Sequence, residues 1–197
     1  MSRNTPRPLD TPKATSPMLI GSIGLYGLAG MSGLAMDSLT GLLKHSLIKQ
    51  EVEKELARCR RDGHPSSLVM LDLDHFKRIN DTWGHRYGDI VIRTLANLLR
   101  NRLRETDMIG RYGGEEFLVV LPQCPVPAAA ELIQGIGESF AELAFSVGES
   151  SFQVTLSAGI AAINDFPNGE DALEAADQAL YQRKRGGRNG VTVYSLQ

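Results

Sequence analysis

From Asp37 onward the apolar positions of the chain form a regular series. In "SLTGLLKHSLIKQEVEKELARCRRDG", Leu39, Leu42, Leu43, Leu47, Val52 and Leu56 recur at helical spacing, and Gly63 ends the run. This predicts a leading helix from Ser38 to Arg61, charged at 49–55, with one apolar stripe suited to a partner. "SSLVMLDLD" is apolar until its end and reads as a strand, and "HFKRINDTWGH" as a short helix and turn. "GDIVIRTLANLLRNRLR" is an amphipathic helix with Ile90, Val91, Leu95, Leu98, Leu99 and Leu103 on one side. "MIGRYGGEEFLVVL" reads as a hairpin turned at Gly113-Gly114. A helix with internal glycines ("VPAAAELIQGIGESFAEL"), a strand ("SFQVTLSAGIAAI"), a glycine-capped helix ("GEDALEAADQALYQRKRGG") and a last strand ("GVTVYS") complete the series.

After the leading helix the order is β-α-α-β-β-α-β-α-β. Two βαβ-type crossovers around a central hairpin predict an α+β fold. It is a ferredoxin-like antiparallel sheet of about five strands with helices on one face. In that topology "SSLVMLDLD" lies beside the hairpin.

Composition changes the picture at the N-terminus. The 197 residues suffice for one ordinary domain plus a tail, and 42% apolar with 22% charged is a soluble globular balance. Residues 1–36 differ from the rest. "MSRNTPRPLDTPKATSP" is rich in proline and small polar residues, and residues 18–36 carry no charge. Glycine recurs there at 21, 24, 27, 30 and 33, and Arg3, Arg7 and Lys13 come before it. The length is near that of a bilayer span, so a membrane tether is the alternative. Each glycine costs a helix about 1 kcal/mol relative to alanine, which favours a flexible linker. The expectation is a segment 1–36 followed by a cytoplasmic domain 37–197. A net charge of −2 gives no general attraction to nucleic acid. Cys59 and Cys124 have neither zinc spacing nor a Cys-x-x-Cys motif, and read as reduced thiols.

Candidate chemistry begins at "RYGGEEF". Glu115 and Glu116 stand side by side after the turn. Either they are solvated polar residues, or they hold a divalent cation and need a further carboxylate. Asp72 supplies one. It is flanked by Leu71 and Leu73 near the buried layer, where a carboxylate is costly without a cation or donor. Asp74 shares its face and marks either the strand's exit into water or a further polar group. An all-oxygen donor set suits Mg²⁺ or Mn²⁺ rather than zinc, and two such ions about 3.5–4 Å apart drive in-line phosphoryl transfer. Lys77 opens a helix whose free N–H groups can hold anions. Lys184 and Arg188 close the last helix, where a basic turn also favours its own dipole.

Together these stretches resemble the GGDEF family, the diguanylate cyclases. "RYGGEEF" matches the signature with glutamate in its third position. "DSLTGL" at 37–42, "DLDHFKRINDTWGHRYGD" at 72–89, "VTLSAGIA" at 154–161 and "ADQALYQRKRGGRN" at 176–189 follow in the family's order and spacing. The resemblance runs from Asp37 to about Tyr194. It departs at Lys44-His45, where the family commonly has Asn-Arg, and at Arg183, usually alanine and expected here to be exposed.

The resemblance implies condensation of two GTP molecules into cyclic di-GMP, with release of two pyrophosphates. It implies a homodimer that holds one GTP per domain. Two Mg²⁺ or Mn²⁺ ions per site would be bound by Asp72, the Leu73 carbonyl, Glu115 and Glu116, with Glu115 also activating the ribose 3′-hydroxyl. Asn80 and Asp89 would read guanine. Lys77, Lys184, Arg188 and the main-chain N–H groups around Phe76 would receive the triphosphate. Arg104 and Asp107, an Arg-x-x-Asp, would form a site for inhibition by cyclic di-GMP. No nucleic acid partner is implied, and a membrane is not required; an upstream sensor or receiver domain is compatible. The alternative is a catalytically silent receptor for GTP or cyclic di-GMP, disfavoured because all three acidic positions are retained.

Overall fold

The computed structural model describes residues 35–195. The linker and tether expected over residues 1–36 thus lie outside the described residues, except for Ala35 and Met36. No helix among the described residues is long and apolar enough to cross a membrane.

The leading helix starts at His45, not at Ser38. Asp37 Oδ1 accepts from the Thr40 N–H (2.9 Å) and from Thr40 Oγ1 (2.8 Å), and Gly41 turns the chain at a left-handed φ of 64°. Leu42 and Leu43 therefore leave in extended form. Leu43–Lys44 is strand β1, parallel to β3 (Met108–Arg111), and helix α1 is His45–Asp62. The leucine spacing at 39–43 belongs to a capped turn and a strand. α1 buries Ile48, Val52, Leu56 and Cys59 against its own sheet. Its apolar stripe is covered within the chain and does not require a partner helix.

The other elements are β2 (Ser67–Leu73), α2 (Phe76–Trp83), α3 (His85–Arg102), β4 (Glu116–Leu121), α4 (Val126–Ala141), β5 (Phe145–Val147), β6 (Ser150–Phe152), β7 (Leu156–Ala162), α5 (Gly169–Arg185) and β8 (Gly190–Val193). The main sheet has six strands in the order β1-β3-β4-β2-β7-β8. Its centre, β3-β4-β2-β7, is antiparallel as predicted; β1 and β8 add parallel edges. The sheet is therefore mixed. The thirteen residues read as one strand from Ser151 divide in two, because Ser150–Phe152 pairs with β5 in a separate hairpin. Phe152 there stacks between Trp83 and Phe145, with ring centroids at 5.5 and 5.3 Å.

Helices cover both faces, not one. Val69, Leu71, Leu73, Phe117 and Val119 pack in one cluster with the apolar sides of α3 and α4. Leu68, Met70, Leu118 and Val120 pack in the other with α1 and α5. All seven residues of β2 are buried. An apolar run without alternation is a strand covered twice, and each such side chain contributes about 1.5–3 kcal/mol.

Candidate active site

The register of β2 on β4 builds the site. Asp72 stands directly opposite Glu116, on the face that carries Leu68 and Met70 further back along the strand. Glu115 comes just before β4, and its carbonyl accepts the Leu73 N–H (3.3 Å). α5 ends in Arg183, Lys184 and Arg185, and Lys184 Nζ reaches Asp72 Oδ2 at 2.7 Å.

The carboxylates disfavour one another's charged form. Burial pushes Asp72 above the usual carboxylate range; Lys184 opposes this, and the Asp74 charge adds to it. Burial, then the Asp72 charge, pushes Glu115 and Glu116 up as well. Of these three carboxylates, Asp72 is the one that Lys184 contacts. Their donors are all oxygen, which fits a hard divalent cation.

Gly113 is needed for room, not for a positive φ. A Cβ there would stand 2.2 Å from Glu116 Oε2, so the Glu116 side chain folds back over the turn only because this position is bare. Arg111 braces the turn. Its Nε and Nη2 donate to the Gly114 carbonyl (3.2 and 2.6 Å), while Nη1 reaches the Asp37 carboxylate at 3.2 Å. Burial works upward on Asp37, but the Thr40 hydrogen bonds and Arg111 hold it below its usual range.

Asp74 does not emerge into water. It is 4% exposed and accepts from Thr155 Oγ1 (2.6 Å), Ser157 Oγ (2.7 Å) and the Asn189 N–H (3.0 Å). Those bonds fix the loop after α5, where Arg188 and Asn189 hold left-handed φ values of 63° and 44°. Asp74 thereby positions Arg188. Its role was not read from the sequence; the signal was Thr155 and Ser157 at two-residue spacing at the start of the neighbouring strand β7.

α2 begins after His75, itself left-handed, and no side chain caps it. The N–H groups of Phe76 and Lys77 therefore have no partner within the helix. The Phe76 ring is buried and Lys77 is exposed; Lys77 makes no ion pair with the carboxylates among the described residues. Asn80 lies against α3 at Gly88, where a Cβ would stand 2.0 Å from its Oδ1. That oxygen is buried without a partner. Asp89, half-buried, is the next residue of α3.

Between α3 and β3, Asp107 Oδ2 accepts the Arg104 N–H (2.8 Å), and burial pushes Asp107 up. The Arg104 guanidinium is left exposed rather than paired with it. Arg183, expected to be exposed, is half-buried: it donates to the Gly186 carbonyl (3.0 Å), and its Nε is buried without a partner. His45, at the other departure, packs on Tyr112 with centroids 4.3 Å apart. A cavity of about 390 Å³ adjoins Glu116, lined by Lys49, Met70, Tyr112, Glu174 and Asp177 among others. None of these five was singled out from the sequence.

A sheet of this order with paired acidic strand ends defines a nucleotidyl-cyclase type of domain. The family described as diguanylate cyclase, GGDEF domain matches residues 34–190, and the chain belongs to it. It is 44% identical over 157 residues to the diguanylate cyclase DgcP of Pseudomonas aeruginosa, covering 80% of this chain and 23% of that protein. The chain thus spans about a quarter of that curated relative's length. Among solved structures it is similar to the GGDEF domain of DgcB from Caulobacter crescentus in complex with c-di-GMP (TM-score 0.78, 34% identity, 81% of this chain and 95% of that one). It is also similar to the active GGEEF domain of a diguanylate cyclase from Vibrio cholerae (TM-score 0.75, 34% identity, 79% and 99%).

Proposed function

We propose that this domain condenses two GTP molecules into cyclic di-GMP, as one half of a homodimer that brings two sites face to face. The observation that carries this is Asp72 opposite Glu116, with Glu115 adjoining and Lys184 in contact, at one sheet end. Asp72, the Leu73 carbonyl, Glu115 and Glu116 would hold two Mg²⁺ or Mn²⁺ ions. Bound there, the ions would neutralise triphosphate charge and polarise the phosphoryl oxygen.

The chain's own groups do the rest. Glu115 takes the proton of the ribose 3′-hydroxyl as that oxygen bonds to the α-phosphorus of the other GTP. The bond to pyrophosphate breaks in the same displacement, and the second displacement closes the ring. Lys184 turns from Asp72 to the triphosphate, joined by Arg188, Lys77 and the N–H groups at Phe76. The Asn80 amide and the Asp89 carboxylate meet the acceptor and donor groups of guanine. Product returns to the exposed Arg104 guanidinium and Asp107, which offer a planar fork and an acceptor to a guanine edge.

Incubation with GTP and Mg²⁺, with products identified by mass, tests the reading. Cyclic di-GMP and pyrophosphate are expected from GTP and not from ATP. Binding of GTP without turnover would make the domain a silent receptor instead.

A further inference from the structure

At the opposite end of β2, far from the carboxylates, α1 brings together three side chains that the proposed reaction does not use. Glu55 and Cys59 are one helical turn apart on the inner face of α1. Gly63 ends the helix at a left-handed φ of 70°, which folds His64 back over the last turn. The Glu55 side chain is fully buried, Cys59 is 3% exposed, and the His64 side chain is 18% exposed.

Their ligand atoms form a nearly equilateral triangle. Cys59 Sγ is 3.8 Å from Glu55 Oε1 and 3.9 Å from His64 Nδ1, and that nitrogen is 3.9 Å from Glu55 Oε1. The centre of such a triangle lies about 2.2 Å from each corner (the edge divided by √3), which matches zinc bonds of about 2.3 Å to sulfur and about 2.0–2.2 Å to nitrogen and oxygen. The surroundings hold the ligands in place. Arg58 Nη1 takes the other Glu55 oxygen at 3.2 Å, leaving Oε1 to point at the thiol and the imidazole. Ser66 Oγ, held by the Gln123 N–H (3.1 Å), is 2.7 Å from Glu55 Oε1 and 3.3 Å from His64 Nδ1. It is placed to orient both ligands or to fill a fourth position.

We propose that Glu55, Cys59 and His64 form a second metal site, for a divalent transition-metal ion of the zinc class. The mixed sulfur, nitrogen and oxygen donors select against Mg²⁺, so this site and the carboxylate cluster at the other sheet end take different ions. As the sulfur–metal bond forms, the Cys59 thiol proton leaves to solvent. One thiolate and one carboxylate then balance the charge of the ion. The ion ties the last turns of α1 to the connection that leads into β2, so its role is to hold this corner of the domain.

The test uses the untagged full chain with Cys124→Ser, reduced by a phosphine, in excess Mg²⁺ so that the carboxylates are occupied. Co²⁺ is the probe. One equivalent should give thiolate-to-cobalt charge-transfer absorption, lost on addition of Zn²⁺. Cys59→Ala should abolish that absorption. Cys59→Ala and His64→Gln should each weaken Zn²⁺ binding by more than the roughly 10- to 100-fold that losing an outer-shell partner costs. Cyclic di-GMP synthesis in Mg²⁺ should persist in both variants. No charge-transfer absorption in the parent chain would overturn the proposal even if a variant failed to fold. Equal Zn²⁺ affinity in the parent and in Cys59→Ala would overturn it too.

Discussion

Asn80 shows what one atom can carry. A turn residue would place its amide in water, but Oδ1 is buried against Gly88 without a partner. An orphaned acceptor costs about 1–3 kcal/mol, a cost that a donor on a bound base removes. Asn80→Ala should therefore leave the unliganded fold as stable or more so. It should lower the preference for GTP over ITP or ATP, measured as a ratio of kcat/KM, by roughly tenfold or more. An unchanged ratio would contradict the base-reading role. Asp72, Glu115 and Glu116 were legible because adjacency and strand ends are local features of a sequence. The bonds of Asp74 were not, since its partners lie 81, 83 and 115 residues away. The triangle of Glu55, Cys59 and His64 was hidden for another reason: its ligand types are mixed, and a left-handed glycine closes it.

At the scale of elements, long periodic segments were legible and short polar connections were not. α3, α4 and α5 fall where their apolar spacing puts them, and β2 and β4 where continuous apolar runs do. The start of α1 was misread because Leu42 and Leu43 continue a helical interval across a turn that Asp37 and Gly41 enforce. The β5–β6 hairpin was missed because its short strands carry serines rather than an apolar run. Asp74 links β2, β7 and the loop before β8, and so joins three elements at the sheet end. Asp74→Ala strands two hydroxyls and one N–H, and should lower unfolding stability by roughly 2–4 kcal/mol. It should also raise KM for GTP more than it lowers kcat, since Arg188 loses its support. Denaturant midpoints and steady-state kinetics check both, and an unchanged midpoint with unchanged KM would exclude the linking role.

For the whole molecule, the carboxylate cluster sets a pH dependence. Asp72, Glu115 and Glu116 bind their protons more tightly in the folded chain than in the unfolded one. The stability they contribute is full below the ordinary carboxylate values of about 3.9–4.3, and is lost as pH rises through their raised folded values. Asp37, held low, acts in the opposite sense, so a difference between two proteins isolates the cluster. Without metal, Glu116→Gln should melt with wild type near pH 4 and above it at neutral pH. Mg²⁺ at neutral pH should then raise the wild-type midpoint and not that of the variant. A wild type that gains on the variant as pH rises, metal-free, would contradict this. The central claim is that these carboxylates make the domain a GTP-condensing enzyme. Its most direct test is the initial rate of cyclic di-GMP formation from GTP and Mg²⁺ by wild type and by Glu116→Gln, at equal concentrations high enough to populate the proposed dimer. The account predicts product from wild type and a rate lower by about 10²–10³ in the variant, with its fold intact. Equal rates, or no cyclic di-GMP from either, would contradict it.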